Sequence, residues 1–447
     1  MRRLILLFVF VVPTLVLASC ADDDGTAEAA TEETALDETP APAAGEASGD
    51  DTEGSGDAPP VTTEQDEAVA EEVAPEDGAT ADDSAADAAA AADETTGSTG
   101  DPAPDRDFSA IAPIIEANIA EHDLNGAGLV IVDAEDGIVF EQHWGVFGPD
   151  RVSLIASATK MITAGVLLHL DDQGLLDIDA PVAEVVDWGA ANPDITPAQL
   201  LSNSSGLVGL FPDPAFAPYL CQYLAAGTLQ ECGEAIFTTT GDDADVVAPD
   251  TEFRYGGAQW QVAGAVAEIA SGKPWDQLIE EIYIGPCGLE SLEYNNHFGQ
   301  LAGGFSYPEA FDGDPSVLSP TSNPNMEGGA FVTTGDYAQL LLMHLRGGVC
   351  GDTQVLSPDA LAQMHADRIA EEYGGNGFTP DRGYGMGWWV QRDTGRIDDP
   401  GAYGAFPWLD LDDGYGAYLI VESQSVIGAE IAAELAEPVH EAVTTAG

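Results

Sequence analysis

Basic residues are what this chain of 447 residues lacks: it carries 12 lysines and arginines against 79 aspartates and glutamates. Lysine is rarer still, occurring only as Lys160 and Lys273. So acidic a chain cannot neutralise phosphates, which excludes nucleic acid and anionic surfaces as partners. Cysteine is scarce too, at five residues, and no His or Cys pair has the spacing of metal ligands. No metal site and no cofactor are therefore expected. The run Asp410-Leu411-Asp412-Asp413-Gly414 lacks the alternation and closing glutamate of a calcium loop, and reads as a hairpin turn. Long apolar runs are confined to residues 4–17.

That run follows Met1-Arg2-Arg3, so a basic start precedes an apolar stretch too short for a comfortable membrane span. Leu17-Ala18-Ser19-Cys20 resembles a bacterial lipobox. The resemblance implies that residues 1–19 are a lipoprotein signal peptide, cleaved to leave a lipid on Cys20. The protein is then extracytoplasmic, and touches the membrane only through that anchor. Residues 20–107 hold 28 acidic residues and one basic residue, Arg106, with almost no large apolar side chains. Such a segment buries too little surface to offset its ordering entropy and is expected to be a disordered acidic tether.

Residues 108–447 are long enough for one large folded domain or two intimately packed lobes. This part is itself acidic, with 51 carboxylates against nine basic residues. Its cysteines, Cys221, Cys232, Cys287 and Cys350, allow three pairings in an oxidising compartment. The expected pairs are Cys221–Cys232 and Cys287–Cys350. Periodicity predicts a helix over 109–121, then strands over 127–133 and 138–144. Late strands are predicted over 384–391, 402–409 and 414–421, and a closing amphipathic helix over 426–443. Strands at both ends with helices between them predict an α+β fold, with one antiparallel sheet built from both ends of the domain. Helices cover that sheet beside a helical lobe, and a monomer is expected.

The stretch that carries chemistry is Ser157-Ala158-Thr159-Lys160, opening an apolar segment that runs to Gln173 and reads as a buried helix. A serine at the start of such a helix meets backbone N–H groups that favour negative charge. Three residues on, Lys160 lies on the same face, and a lysine whose pKa is lowered by burial can act as the base for Ser157. A surface lysine after a helix cap is the plainer alternative. It fits poorly, because a chain with two lysines has placed one inside an apolar turn. Ser-x-x-Lys is the constellation of the penicillin-recognising serine enzymes.

Further along, Phe253-Arg254-Tyr255-Gly256-Gly257 leads into a predicted helix over 258–271. Thr196-Pro197-Ala198-Gln199-Leu200-Leu201-Ser202-Asn203-Ser204-Ser205-Gly206-Leu207 resembles a segment of class C β-lactamases and their carboxypeptidase and esterase relatives. Gly328-Gly329-Ala330-Phe331-Val332-Thr333-Thr334-Gly335-Asp336-Tyr337-Ala338 resembles another. With Ser157, Lys160 and Tyr255, these stretches follow the family's order over residues 108–447. The resemblance implies a β-lactamase/transpeptidase-like fold and a serine hydrolase that forms an acyl-enzyme on a small-molecule or peptide acyl substrate. Ser157 would be the nucleophile, with Lys160 and Tyr255 moving its proton. The backbone N–H groups of Ser157 and Ala402 would form the oxyanion hole.

Two positions depart from the family, and both are candidates for the substrate cleft. Gly257 stands where the second motif, Tyr-x-Asn, carries an amide, and Asp399-Pro400-Gly401 stands where the third carries a cation. An ionised Asp399 would repel anionic substrates. The expectation is therefore an esterase- or peptidase-like enzyme rather than a true β-lactamase. The alternative is a binding lipoprotein that keeps the fold and turns over poorly.

Overall fold

The computed structural model describes residues 106–211, 216–239, 245–369, 373–374 and 380–445. The expected signal peptide, Cys20 and the expected tether up to residue 105 lie outside the described residues. Arg106, assigned above to the tether, already belongs to the folded part. Its guanidinium pairs with Asp133 at 3.0 Å and Asp136 at 2.8 Å.

Two strands, Gly126–Asp133 and Gly137–Gly145, form the first hairpin of a seven-stranded antiparallel sheet. The later strands Tyr415–Ile420, Ala405–Asp410, Ile397–Asp398, Trp389–Gln391 and Arg382–Tyr384 follow in that order from the first strand. The sheet is thus assembled from both ends of the domain, as the periodicity required. Gly126–Asp133 is covered on both faces, so it reads as a continuous apolar run without alternation. On one face the terminal helices Ile111–Glu121 and Ser425–Thr444 bury Ile111, Ile115, Ile431, Leu435 and Val439. Against the other lies the larger core, which includes most of the helix Lys160–Asp172 and of Gly257–Ser271.

One predicted strand is in fact a hairpin. Residues 384–391 reverse between Tyr384 and Trp389, through a turn in which Gly387 takes φ +85°. The strand Ile397–Asp398 beyond it was too short to show a period. The last strand pair starts later than predicted, at Ala405, and leaves Ala402 in the preceding turn. Both expected disulfides are present, Cys221–Cys232 and Cys287–Cys350. Among the described residues no helix is long and apolar enough to cross a membrane.

A small second sheet positions the nucleophile. Ala330–Val332 pairs with Ser153–Leu154 on one side and with Glu293–Tyr294 on the other. The glycine-rich segment before residue 330 is thereby delivered to the turn that carries Ser157.

Candidate active site

Ser157 lies in a 3-10 turn, Ala156–Thr159, that leads into the α-helix starting at Lys160. The turn is entered through a left-handed residue, Ala156 at φ +46°. A non-glycine residue there costs on the order of 1 kcal/mol and persists only where neighbours enforce it. The neighbours are identifiable. Ile155 N–H donates to the Ala330 carbonyl and Ala330 N–H to Thr159 Oγ1, both at 3.2 Å. The Tyr337 hydroxyl donates to the Ala158 carbonyl at 3.0 Å. The segment 328–338 therefore braces the nucleophile turn, while Ser157 itself stays partly exposed.

Lys160 is fully buried, and its ammonium has three acceptors. It donates to Ser157 Oγ and to the Glu327 carbonyl, both at 3.0 Å, and it faces Glu327 Oε2 at 3.4 Å. Its charge also lies 4.8 Å from the centroid of the Tyr255 ring. Burial works against the charge, but the groups packed around the ammonium outweigh it and hold the lysine above its ordinary pKa. This corrects the expectation of a lysine made neutral by burial. Sequence could place Lys160 in an apolar helix, but not the carboxylate that meets it from 167 residues away.

Tyr255 brings its phenol within hydrogen-bonding reach of both Ser157 and Lys160. Burial keeps the phenol above its ordinary pKa, although the Lys160 charge pulls the other way. The loop that holds it is organised by Asn203, a left-handed residue at φ +56° in the stretch 196–207. Its Oδ1 accepts from Gly256 N–H at 3.3 Å, Gln259 Nε2 at 2.8 Å and Trp260 Nε1 at 3.2 Å. The family-like segment is thus structural, and its task is to aim the tyrosine.

The second and third motifs are rebuilt in kind. A Cβ on Gly257 would lie 2.1 Å from Glu327 Oε1 and 2.4 Å from Gln222 Oε1, so a carboxylate fills the room that an amide side chain would need. Gly401 touches the nucleophile's approach: a Cβ there would sit 2.1 Å from the Ile155 carbonyl oxygen. Ala402 follows it in the same turn. Asp399 is fully buried, with neither carboxyl oxygen hydrogen-bonded, and burial pushes it well above the carboxylate range against the pull of Lys160. Burial thus favours its neutral form, against the ionised cleft residue expected from sequence. Its neighbour Asp398 takes the available partners, Arg382 and Gln391. Other cations are engaged elsewhere: Arg254 holds Glu252 and the carbonyls of Gly206 and Asp245, and Arg396 lies over Trp408.

The Beta-lactamase family profile matches residues 111–437. The chain belongs to the beta-lactamase family. Penicillin-binding protein 4 of Amycolatopsis lactamdurans is 27% identical over 267 residues, covering 55% of this chain and 66% of that protein, just under two thirds of its length. The D-alanyl-D-alanine-carboxypeptidase/endopeptidase AmpH of Escherichia coli K12 is 26% identical over 202 residues, 39% of this chain and 48% of that protein. Among solved structures, EstCE1, described as a hydrolase with promiscuous acyltransferase activity, superposes with a TM-score of 0.61 at 21% identity. That superposition covers 75% of this chain and 98% of that one.

Within this beta-lactamase-family site, sequence reasoning missed Glu327 and Asn203. Glu327 directly precedes the recognised Gly328-Gly329 and could have been found only by asking what fills the space beside Gly257. Away from the site, Asp410, Asp413 and His440 bring their ligand atoms within 4.8 Å of one another on the exposed turn expected at 410–414. His440 arrives there from the closing helix, which local spacing does not reveal.

Proposed function

We propose that this protein is an extracytoplasmic serine hydrolase, anchored by lipid at Cys20, that forms an acyl-enzyme at Ser157 on a neutral ester or amide. The observation that carries this reading is the contact of Lys160 Nζ with Ser157 Oγ at 3.0 Å, with the Tyr255 phenol beside both. Ser157 Oγ attacks the carbonyl, and its proton leaves through Lys160 and Tyr255 to the departing group. The amides of Ser157 and Ala402 receive the oxyanion, and water then releases the acyl group. The names of the relatives support acyl transfer as the shared chemistry. Two disulfides fit an oxidising compartment, in keeping with the lipobox.

The preference for a neutral substrate rests on the third motif. With a buried acid at Asp399 in place of the family's cation, a substrate carboxylate finds no partner there. Burial favours the neutral form of Asp399 and so limits its repulsion, and discrimination should be modest and insensitive to salt. Turnover of a neutral acyl ester and its carboxylated analogue at low and high salt tests this. A neutral ester favoured by about tenfold at both salt levels is expected, whereas a better anionic substrate would overturn it. Gly257, which removes the family's amide, favours a second reading as an acyl-binding lipoprotein. Labelling of Ser157 without turnover of any ester would support it.

A further inference from the structure

Each group that the reading above gives to proton transfer is already protonated at rest. Lys160 is an ammonium with three acceptors, and the Tyr255 phenol is held above its ordinary pKa by burial. Neither can take the proton of Ser157 unless it first gives one up. A neutral phenol would have to become an oxonium to do so. The missing base must therefore touch Lys160.

Among the described residues, the oxygen-bearing side chains that act on that ammonium are Ser157, Tyr255, Glu327 and Asp399. Among the described residues Asp399 has no hydrogen-bond partner, Lys160 included, and burial favours its protonated form, with the Asp398–Arg382 pair beside it. Glu327, by contrast, is in direct contact with the lysine. Its Oε2 is 3.4 Å from Lys160 Nζ, its backbone carbonyl takes a second ammonium hydrogen, and its Oε1 lies 3.5 Å from the Tyr223 hydroxyl. It fits only because residue 257 is glycine, since a Cβ there would collide with its carboxylate at 2.1–2.2 Å.

We infer that Glu327 is the positioning residue that makes Lys160 a base, holding the proton that Lys160 must release before Ser157 attacks. The inference rests on the assignment of Ser157 as nucleophile. The protons balance through one cycle. Lys160 passes a proton to the Glu327 carboxylate, giving an amine and a carboxylic acid. In a buried pair this exchange trades two charges for none, so desolvation favours it while Coulomb attraction opposes it. The amine then takes the Ser157 proton as Oγ bonds to the carbonyl carbon. As the bond to the leaving group breaks, Tyr255 protonates the leaving oxygen or nitrogen. Lys160 restores the Tyr255 proton, and Glu327 returns its proton to Lys160. Gly257 and Glu327 thus replace the asparagine of the second motif as a pair.

The test is the acylation rate of the full chain in detergent with p-nitrophenyl acetate, from pH 6 to 9, for wild type, Glu327→Gln and Glu327→Asp. Glutamine keeps the shape but cannot accept the proton, so Lys160 must lose it to bulk water. The wild-type rate should be flat over this range. The glutamine variant should fall about 100-fold at pH 7 and recover about tenfold per pH unit, toward wild type. Aspartate should retain a flat profile within about tenfold of wild type. A pH-independent loss in the glutamine variant, or none, overturns the inference while leaving Ser157 in place. A wild-type protein that is not acylated at Ser157 overturns the underlying reading, and this one with it. The substitution Gly257→Asn should abolish acylation alone and regain part of it when combined with Glu327→Ala; equal loss in both would contradict the pairing.

Discussion

The ring of Tyr255 stacks on that of Trp389, with 5.5 Å between centroids and 25° between planes. Tyr384 meets both rings edge-on, so the phenol is aimed by aromatic packing as well as by its loop. Replacement by phenylalanine keeps the ring in this packing and removes only the hydroxyl. Tyr255→Phe is therefore expected to fold normally and to lose about 100-fold or more in kcat on an alkyl ester, whose leaving group needs a proton. With a p-nitrophenyl ester, whose leaving group needs none, the loss should be far smaller. Steady-state rates on the two esters provide the comparison.

Asp399 makes a prediction about stability. Burial raises its folded-state pKa well above the unfolded value of about 4, so the folded chain binds the extra proton. The associated stability is fully present below pH about 4 and is lost as pH rises from there through the folded pKa. Asp399→Asn removes that penalty. Thermal denaturation should show the variant gaining Tm at pH 7 relative to wild type, with the gain shrinking toward pH 4. A constant difference across that range would mean that Asp399 does not titrate in this way.

Gly401 is fixed by the backbone of the nucleophile turn. A methyl at this position would meet the Ile155 carbonyl at 2.1 Å, two residues before Ser157. Gly401→Ala must displace one of the two segments, and misplacement by about 1 Å is enough to cost about 100-fold in rate. Acylation by an activated ester should fall by that order while circular dichroism stays native. Unchanged acylation would show that the turn has room the structure does not provide.

The bridge Cys221–Cys232 closes a loop that carries Tyr223, the hydroxyl partner of Glu327. Removing both cysteines as serines should cost about 2–3 kcal/mol of unfolding free energy, the order expected for closing so short a loop. Urea unfolding of the two proteins measures it directly. A change below about 0.5 kcal/mol would mean that the loop is held without the bridge.

What was legible in the sequence follows from what is local. Periodicity exposed the strands at both ends of the domain, and the helices that cover them, because one hydrophobic pattern spans each element. Ser157, Lys160 and Tyr255 were legible because a motif fixes their order, and Lys160 stood out in a chain with so little lysine. The hairpin at residues 382–391 merged into one strand because its turn, Gly385-Met386-Gly387-Trp388, is itself apolar enough to continue the pattern. Electrostatics were the least legible. The pKa of Lys160 answers to burial and to Tyr255 and Glu327, and that of Asp399 to burial above all, and neither follows from spacing along the chain. Glu327 stayed hidden because its role is defined by a missing side chain at Gly257, 70 residues earlier.

The central claim is that Ser157 is a nucleophile activated by its contacts with Lys160 and Tyr255. Treating the full chain with a fluorophosphonate probe and locating the adduct by peptide mass spectrometry tests it most directly. The account predicts one stoichiometric adduct on the peptide containing Ser157, and none in Ser157→Ala protein that retains its thermal transition. Labelling of the alanine variant at the wild-type level, or a folded wild-type protein that takes up no probe, would contradict it.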